Sequence, residues 1–182
     1  MRAYLITGNP GSGKSTLAGE LSRRGLITVD ADGLAFWENT AGARVDQPPG
    51  ADDDWRRAHR WVWSRARIEQ VIGASGGDAG RMFFCGIARN QDQMLDLFEM
   101  VFLLVIDDDI QAARLAGPAQ ASSPVRTESI RRQIREGRHV FQAQMLARGA
   151  IPLDGTASPP VLADSLLARL GPSYFDLKKT SL

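Results

Sequence analysis

The chain has 182 residues, enough for one α/β domain with a substantial hydrophobic core and too few for two full-sized domains. Its 22 Lys and Arg residues against 21 Asp and Glu residues leave a formal net charge of +1, which argues against nonspecific binding to nucleic acid. Cys85 is the single cysteine, so an intrachain disulfide framework and a cysteine-built metal site are excluded.

The apolar segments are too short for a membrane helix. The longest uninterrupted run, residues 100–106, falls far below the roughly 20 residues that span a bilayer. A glycine-rich segment begins at Gly8, directly after the first apolar run, so removal of a leader peptide would destroy it. We therefore expect a cytoplasmic protein without a membrane partner, present as a monomer or homodimer.

Five short apolar runs alternate with stretches of helical periodicity. The runs are residues 3–7, 26–29, 81–85, 101–106 and 150–153. This alternation predicts an α/β fold in which helices cover both faces of a parallel sheet.

Three stretches between these runs have helical patterns. Residues 15–24 form an amphipathic segment that stops at Gly25, and residues 55–72 follow three aspartates, 52–54, which suit a helix start better than a metal cluster. Apolar residues also recur at helical spacing from Ile130 to Met145, although Gly137 weakens that pattern.

The first strand and first helix flank a phosphate-binding motif. The pattern G-x-x-x-x-G-K-[ST] is satisfied by Gly8, Asn9, Pro10, Gly11, Ser12, Gly13, Lys14 and Ser15. Its backbone N–H groups and the helix dipole favour phosphate, and Lys14 is expected at the β- and γ-phosphates. Ser15 is predicted to bind Mg²⁺ and Thr16 to lie near the α-phosphate, so the motif indicates a nucleoside triphosphate with Mg²⁺.

The nucleotide is predicted to be ATP. Asp30 to Gly33 can be read as the D-x-x-G motif of a GTPase, but no N-K-x-D guanine motif occurs, and too little chain separates Lys14 from Asp30 for a switch loop.

Asp30 and Asp32 end the second predicted strand, and their spacing directs both carboxylates the same way in extended chain. The sequence here resembles the adenylate-kinase-like small-molecule P-loop kinases, which include shikimate, gluconate and nucleoside monophosphate kinases. The resemblance implies that Asp30 serves the metal and Asp32 the acceptor hydroxyl. The alternative is that both residues only cap a turn.

The third predicted strand and its loop, residues 83–90, resemble those of gluconate kinases. By that resemblance Gly86 allows close approach of a ligand, and Arg89 neutralises charge on the substrate or phosphate. Cys85 is interpreted as a core residue rather than a nucleophile.

A lid is expected over residues 115–128. Arg114 with Leu115 resembles the start of the lid in adenylate-kinase-like enzymes, where the arginine packs near adenine or the transferring phosphate. The second arginine of that pattern is absent, and Arg126 is the candidate to replace it. Arg131, Arg132 and Arg135 fit a solvated helix face equally well.

Residues near the fourth and fifth strands allow further assignments. Asp107, Asp108 and Asp109 are read as a helix start in preference to a Walker B acid. By resemblance, residues 154–157 lie against adenine through main-chain atoms.

The insertion at residues 33–72 is expected to hold the acceptor. It contains all four tryptophans, and because Trp61 and Trp63 cannot share one helix face, one is expected to line the pocket while the other packs. His59 is assigned no catalytic role.

Taken over its length, the resemblance implies a three-layer P-loop kinase fold, a five-stranded parallel sheet in the order 2-3-1-4-5, and a single domain over residues 1–182. It implies an ATP-dependent phosphotransferase acting on the hydroxyl or phosphate of a small-molecule acceptor. The alternative is a P-loop ATPase or nucleotide-dependent regulatory switch without such an acceptor.

Overall fold

The computed structural model describes residues 1–74, 80–117 and 127–171. Its strands are β1 (Arg2–Thr7), β2 (Ile27–Asp30), β3 (Ala35–Glu38), β4 (Arg44–Val45), β5 (Arg60–Trp63), β6 (Arg81–Cys85), β7 (Met100–Val105) and β8 (Ile151–Asp154). Its α-helices are α1 (Lys14–Arg23), α2 (Asp53–Ala58), α3 (Arg65–Ala74), α4 (Asp108–Ala116), α5 (Glu128–Ala147) and α6 (Pro159–Arg169). Two 3-10 helices span Ala31–Leu34 and Gln91–Leu97.

Five of these strands form one parallel sheet with the spatial order β2-β6-β1-β7-β8. Counted among themselves in chain order, they stand as 2-3-1-4-5, so the predicted order is confirmed. Each strand lies within one residue of the run that predicted it. The sheet gathers the carboxyl ends of all five strands at one edge, where ligands bind in open α/β folds.

Helices cover both faces of the sheet, as predicted. On β1, Tyr4 and Ile6 face the side where α1 and α6 pack, whereas Ala3 and Leu5 face the other side, where Ile68 of α3 packs. Burial on both sides explains why β1 is a continuous apolar run rather than an alternating one.

The predicted helix over residues 55–72 is wrong. α2 ends at Ala58, and β5 separates it from α3. β5 pairs antiparallel with β3, with Trp61 opposite Trp37 and Trp63 opposite Ala35, and β4 completes a small three-stranded sheet. Aromatic and β-branched residues gain from such cross-strand packing, and the partner strand lies outside any local sequence window.

The other predicted helices are present. α1 covers Lys14–Arg23, and α5 contains the predicted apolar positions in spite of Gly137. α2 begins after Asp52, whose carboxylate accepts a 2.8 Å hydrogen bond from the Trp55 N–H, so the interpretation as a helix start is confirmed. α4 begins directly after Asp107.

Three hydrogen bonds join the small sheet to the segment that follows β6. The Arg89 N–H donates to the Trp61 carbonyl at 2.8 Å. The Asn90 side chain accepts from the Trp63 N–H at 2.8 Å and donates to its carbonyl at 3.0 Å. These bonds hold the inserted segment over the edge of the main sheet.

Across the described ranges, no helix has both the length and the apolar character needed to cross a membrane.

Candidate active site

The phosphate loop connects β1 to α1, as its motif predicts. Gly11 and Gly13 have φ values of 82° and 100°, a region that other residues rarely adopt, so the turn depends on glycine. α1 begins at Lys14, which leaves its first backbone N–H groups free of helical partners and directed at the loop. The Ser15 and Thr16 side chains are exposed at this end of the helix.

Lys14 folds back over the loop. Its Nζ donates to the carbonyl of Gly8 at 2.6 Å and to that of Asn9 at 3.3 Å. Burial lowers its pKa to about 8, while the nearby Asp32 carboxylate acts in the opposite direction. The ammonium is therefore still mostly charged at neutral pH and lies where a phosphate would bind.

Side chains of α4 brace the loop from outside. The Arg114 guanidinium donates to the carbonyls of Gly155 at 2.9 Å and of Gly11 and Ser12 at 3.3 Å. The contacts of Arg114 here are to loop carbonyls, and its expected place near the nucleotide stays a prediction. Gly155, in the segment predicted to meet adenine, packs so closely that a Cβ there would lie 2.9 Å from the Ser12 carbonyl.

The loop fits a bound triphosphate. The Asn9 Oδ1 and Ser12 Oγ atoms are buried and have no hydrogen-bond partner within the part of the chain that the structure describes. No group of three His, Cys, Asp or Glu side chains that could cage a metal occurs in those same ranges. Mg²⁺ typically keeps several waters and takes one or two protein ligands beside phosphate oxygens. Binding of Mg²⁺ by Ser15 and Asp30 stays a prediction.

The carboxylate pair divides into two environments. Asp30 ends β2, and its carboxylate accepts a 3.0 Å hydrogen bond from the Asp32 N–H, so it caps the following 3-10 helix. Asp32 instead turns toward β6, where its Oδ1 accepts from the Ile87 N–H at 3.4 Å. The turn-capping alternative therefore describes Asp30 but not Asp32.

The pKa of Asp32 is raised. Burial by the surrounding groups is the main cause, opposed by the Ile87 N–H, the Lys14 charge and the Trp61 indole N–H. The side chain nevertheless keeps solvent-accessible surface. A carboxylate with a raised pKa, accessible and close to Lys14, is suited to accept a proton.

Gly86 makes this placement of Asp32 possible. A Cβ at Gly86 would lie 2.9 Å from the Ala31 Cβ and 3.0 Å from the Asp32 Oδ1. The glycine thus accommodates the aspartate turn, and its predicted role in the close approach of a ligand stays a prediction. Beside it Cys85 is buried, and burial raises the pKa of its thiol to about 12, which suits the predicted core role and leaves the thiol protonated.

A cavity of about 790 Å³ adjoins the phosphate loop. Elements distant in sequence line it: the loop at Asn9 and Pro10, the insertion, the end of β6, and α5. Trp61 lines the cavity while Trp63 is buried in the core. The two tryptophans divide as predicted, but they lie on strand β5 and not on the helix from which the division was inferred. Arg89 is exposed and also lines it.

Trp37, Trp55 and His59 of the insertion form an aromatic cluster with Trp61 at this cavity. Trp37 contacts both Trp55 and Trp61, with ring centroids 5.1 Å apart in each case. His59 stacks on Trp55 at 4.1 Å, and its Nδ1 lies 2.7 Å from the Trp55 carbonyl oxygen. His59 is thus engaged within the cluster.

The contribution of α5 to the cavity was not predicted from the sequence. Ile134, Phe141 and Met145 of this helix line the cavity, together with Gln133. The signal in the sequence was Gly137, an unfavourable residue in the middle of a 20-residue helix, which also lines the cavity.

The predicted site residues are therefore only partly assembled. Lys14, Asp30 and Asp32 meet beside the loop, and Arg89 lines the adjoining cavity. Arg126 and most of the predicted lid over residues 115–128 lie outside the described residues.

Comparisons with known proteins give structural matches alone. No protein-family model and no curated protein sequence matches the chain. Deoxyadenosine kinase from M. mycoides with bound dATP is similar with a TM-score of 0.56 at 12% identity, over 94% of this chain and 100% of that one. A sugar kinase from Janibacter sp. gives a TM-score of 0.53 at 20% identity, over 93% and 94% of the two chains.

A gluconokinase from Sinorhizobium meliloti 1021 is similar over 100% of this chain and 98% of its own, with a TM-score of 0.50 and 15% identity. Likeness at these identities establishes architecture and leaves the reaction to the site. The chain has the fold of the P-loop small-molecule kinases.

Proposed function

We propose that the protein is an ATP-dependent phosphotransferase that moves the γ-phosphoryl group to the hydroxyl or phosphate of a small-molecule acceptor. The observation that carries the proposal is the position of Asp32. Its carboxylate is near Lys14 of the phosphate loop and contacts Ile87 and Trp61, which both line the cavity. A proton acceptor between a phosphate site and a cavity is what transfer requires and what simple nucleotide storage does not.

The chain's residues divide the chemistry of transfer between them. Asp32 orients an acceptor hydroxyl and accepts its proton as the acceptor oxygen forms a bond to the γ-phosphorus. Lys14 and the loop N–H groups stabilise the charge that develops on the phosphate oxygens as the bond to the β-phosphate bridging oxygen breaks and ADP leaves.

Ser15 and Asp30 would hold Mg²⁺, which neutralises phosphate charge when it is bound. The same proposal includes a single kinase domain over residues 1–182, acceptor binding by the insertion at 33–72, and a lid over 115–128 from which Arg126 supplies positive charge.

The test is a screen for acceptor-dependent ADP release with ATP and Mg²⁺, over nucleosides, nucleotides, sugars, polyols and aminoglycosides. We expect one acceptor class to raise ADP release well above background, and ATP to bind more tightly than GTP. A protein that releases ADP at the same rate with every acceptor would be an ATPase or switch instead.

Two variants sharpen the test. Asp32→Asn should keep affinity for ATP and Mg²⁺ and lose acceptor-dependent turnover by about 10²-fold or more, with slow background hydrolysis unchanged. Asp30→Asn should also weaken the dependence on Mg²⁺. If Asp32→Asn lowered transfer and hydrolysis together, Asp32 would belong to a hydrolytic machinery and the ATPase alternative would replace the kinase.

A further inference from the structure

The charge of the cavity points to an anionic ligand. Four arginines line it, against one carboxylate, Asp92. Three of the four have partners: Arg56 pairs with Asp53, Arg57 with Asp54, and Arg148 with Asp92.

Arg89 differs from these three. Its backbone N–H bonds the Trp61 carbonyl, but across residues 1–74, 80–117 and 127–171 its guanidinium has no hydrogen bond or ion pair. An exposed guanidinium at a cavity wall presents a fork of donors that matches a carboxylate or phosphate.

The cavity also presents apolar surface that the protein itself does not cover. On α5, Ile130, Ile134 and Phe141 are only half-buried, and Val140 keeps 59% of its surface exposed. Trp61 contributes an indole to the same cavity. Apolar and aromatic linings with a few placed polar groups are typical of sites for ligands of drug-like size, and this volume is within their usual range of about 300–1,000 Å³.

Gly137 gives a second, independent indication. It lies in the interior of α5, where glycine weakens a helix, yet a Cβ there would meet no atom within 4 Å. No neighbouring protein group within the described ranges therefore requires the glycine. The space beside it is part of the cavity, so the missing side chain enlarges the volume open to a ligand.

We propose that the acceptor is a largely apolar, planar molecule that carries an oxyanion, either a carboxylate or a phosphate, with the planar part against Trp61 and α5 beside Gly137 and the oxyanion on Arg89. A cationic acceptor is disfavoured because the one carboxylate among the described lining residues, Asp92, is already paired with Arg148. A polyol is disfavoured because its hydroxyl groups would lose water against an apolar wall. The assignment of this ligand as the phosphoryl acceptor rests on the proposed function. Binding of a planar anion by the cavity does not depend on that function.

Binding can be tested on the full chain by its tryptophan fluorescence, since Trp37 and Trp61 line the cavity. ADP is kept saturating so that the nucleotide site is filled. The probes are two matched pairs, 4-(hydroxymethyl)benzoate with benzyl alcohol and 4-(hydroxymethyl)phenyl phosphate with 4-(hydroxymethyl)phenol, together with gluconate and kanamycin. In at least one pair we expect the planar anion to bind about tenfold or more tightly than its neutral partner and more tightly than gluconate or kanamycin. The pair that responds distinguishes a carboxylate from a phosphate.

Variants separate the two halves of the site. Arg89→Gln should reduce affinity for the planar anion about tenfold, to that of its neutral partner, whereas Arg67→Gln, on an exposed arginine of α3 away from the cavity, should not. Gly137→Leu should weaken both members of the responding pair, and Ala143→Leu on the same helix outside the cavity should weaken neither. ADP affinity and circular dichroism verify that each variant is folded.

Tighter binding of gluconate or kanamycin, an absence of binding by both planar anions, or an unchanged anion affinity in Arg89→Gln would overturn the proposal. The ADP-release screen separates the two hypotheses. If a planar anion binds as expected and no acceptor supports transfer, the kinase function fails and the recognition stands. If a polyol or a cationic acceptor supports transfer, the kinase stands and this inference fails.

Discussion

The phosphate loop and the adjoining cavity lie side by side but are built in different ways. The loop is one continuous segment between β1 and α1, and its binding groups are mainly backbone atoms held by glycine turns. The cavity collects side chains from the loop, the insertion, the end of β6 and α5. One region is therefore determined by local sequence and the other by packing between distant segments.

This difference predicts how each region responds to substitution. In the loop a change at Lys14 removes a charge while the backbone that shapes the site remains. Around the cavity, a side chain added at a glycine should displace a neighbouring residue such as Asp32 or fill space that a ligand would occupy. The following predictions test that contrast.

The largest effect is expected for Lys14→Ala. The ammonium that stabilises phosphate charge is lost, so transfer should fall by about 10²-fold or more, equivalent to several kcal/mol of transition-state stabilisation. Steady-state kinetics measure the rate, and circular dichroism verifies the fold. Near-normal turnover in a folded variant would remove Lys14 from the catalytic machinery.

A second effect concerns the pH dependence of nucleotide binding. In the free protein Lys14 has a pKa of about 8, and bound phosphates should raise it, so binding takes up a proton. ATP affinity should therefore weaken by up to about tenfold per pH unit above pH 8, until the raised pKa of the complex is reached. Lys14→Arg, which stays charged throughout, should lack this slope in calorimetric titrations. An identical slope in both proteins would assign the proton to another group.

Gly86→Ala should lower the stability of the protein and also displace the Asp32 carboxylate. The added Cβ would meet the Ala31 Cβ and the Asp32 carboxylate, so we expect a loss of about 1–3 kcal/mol in the free energy of unfolding and weaker acceptor-dependent turnover. Gly73→Ala, whose Cβ would meet nothing within 4 Å, is the control and should not destabilise the protein. Denaturant unfolding measures both variants. Equal stability for the two would mean that the aspartate turn adapts without cost.

The smallest effect is expected for substitutions that distinguish the shape of the cavity from the stability of the protein. Gly137→Ala and Gly19→Ala both place a methyl group in open space on a helix, and each should raise the free energy of unfolding by about 0.5–1 kcal/mol. Because Gly137 lines the cavity and Gly19 does not, only Gly137→Ala should weaken binding of the planar anion, by a few-fold. Equal anion affinity in the two variants would show that this part of the cavity is not used.

Most of the main sheet was predictable because its signals are local. The central strands β1, β6 and β7 are buried on both faces and so read as continuous apolar runs, and the loop motif at Gly8 to Ser15 specifies its own turn and helix start. The resemblance to small-molecule P-loop kinases supplied the strand order, which local patterns do not contain. Lys14 and the two aspartates could be named because they sit within or directly after such elements.

What local sequence did not contain is pairing between distant segments. The segment of β5 was expected to be helical because its partner strand β3 lies outside the local window. Gly137 is unfavourable in a helix when only the sequence is considered, whereas in the structure it lines the cavity. Asp30 and Asp32 look equivalent in sequence, yet the approach of β6 at Gly86 turns one into a cap and leaves the other facing Lys14. Local burial and turn chemistry can be read residue by residue, whereas a cavity exists only where separate elements fail to fill the space between them.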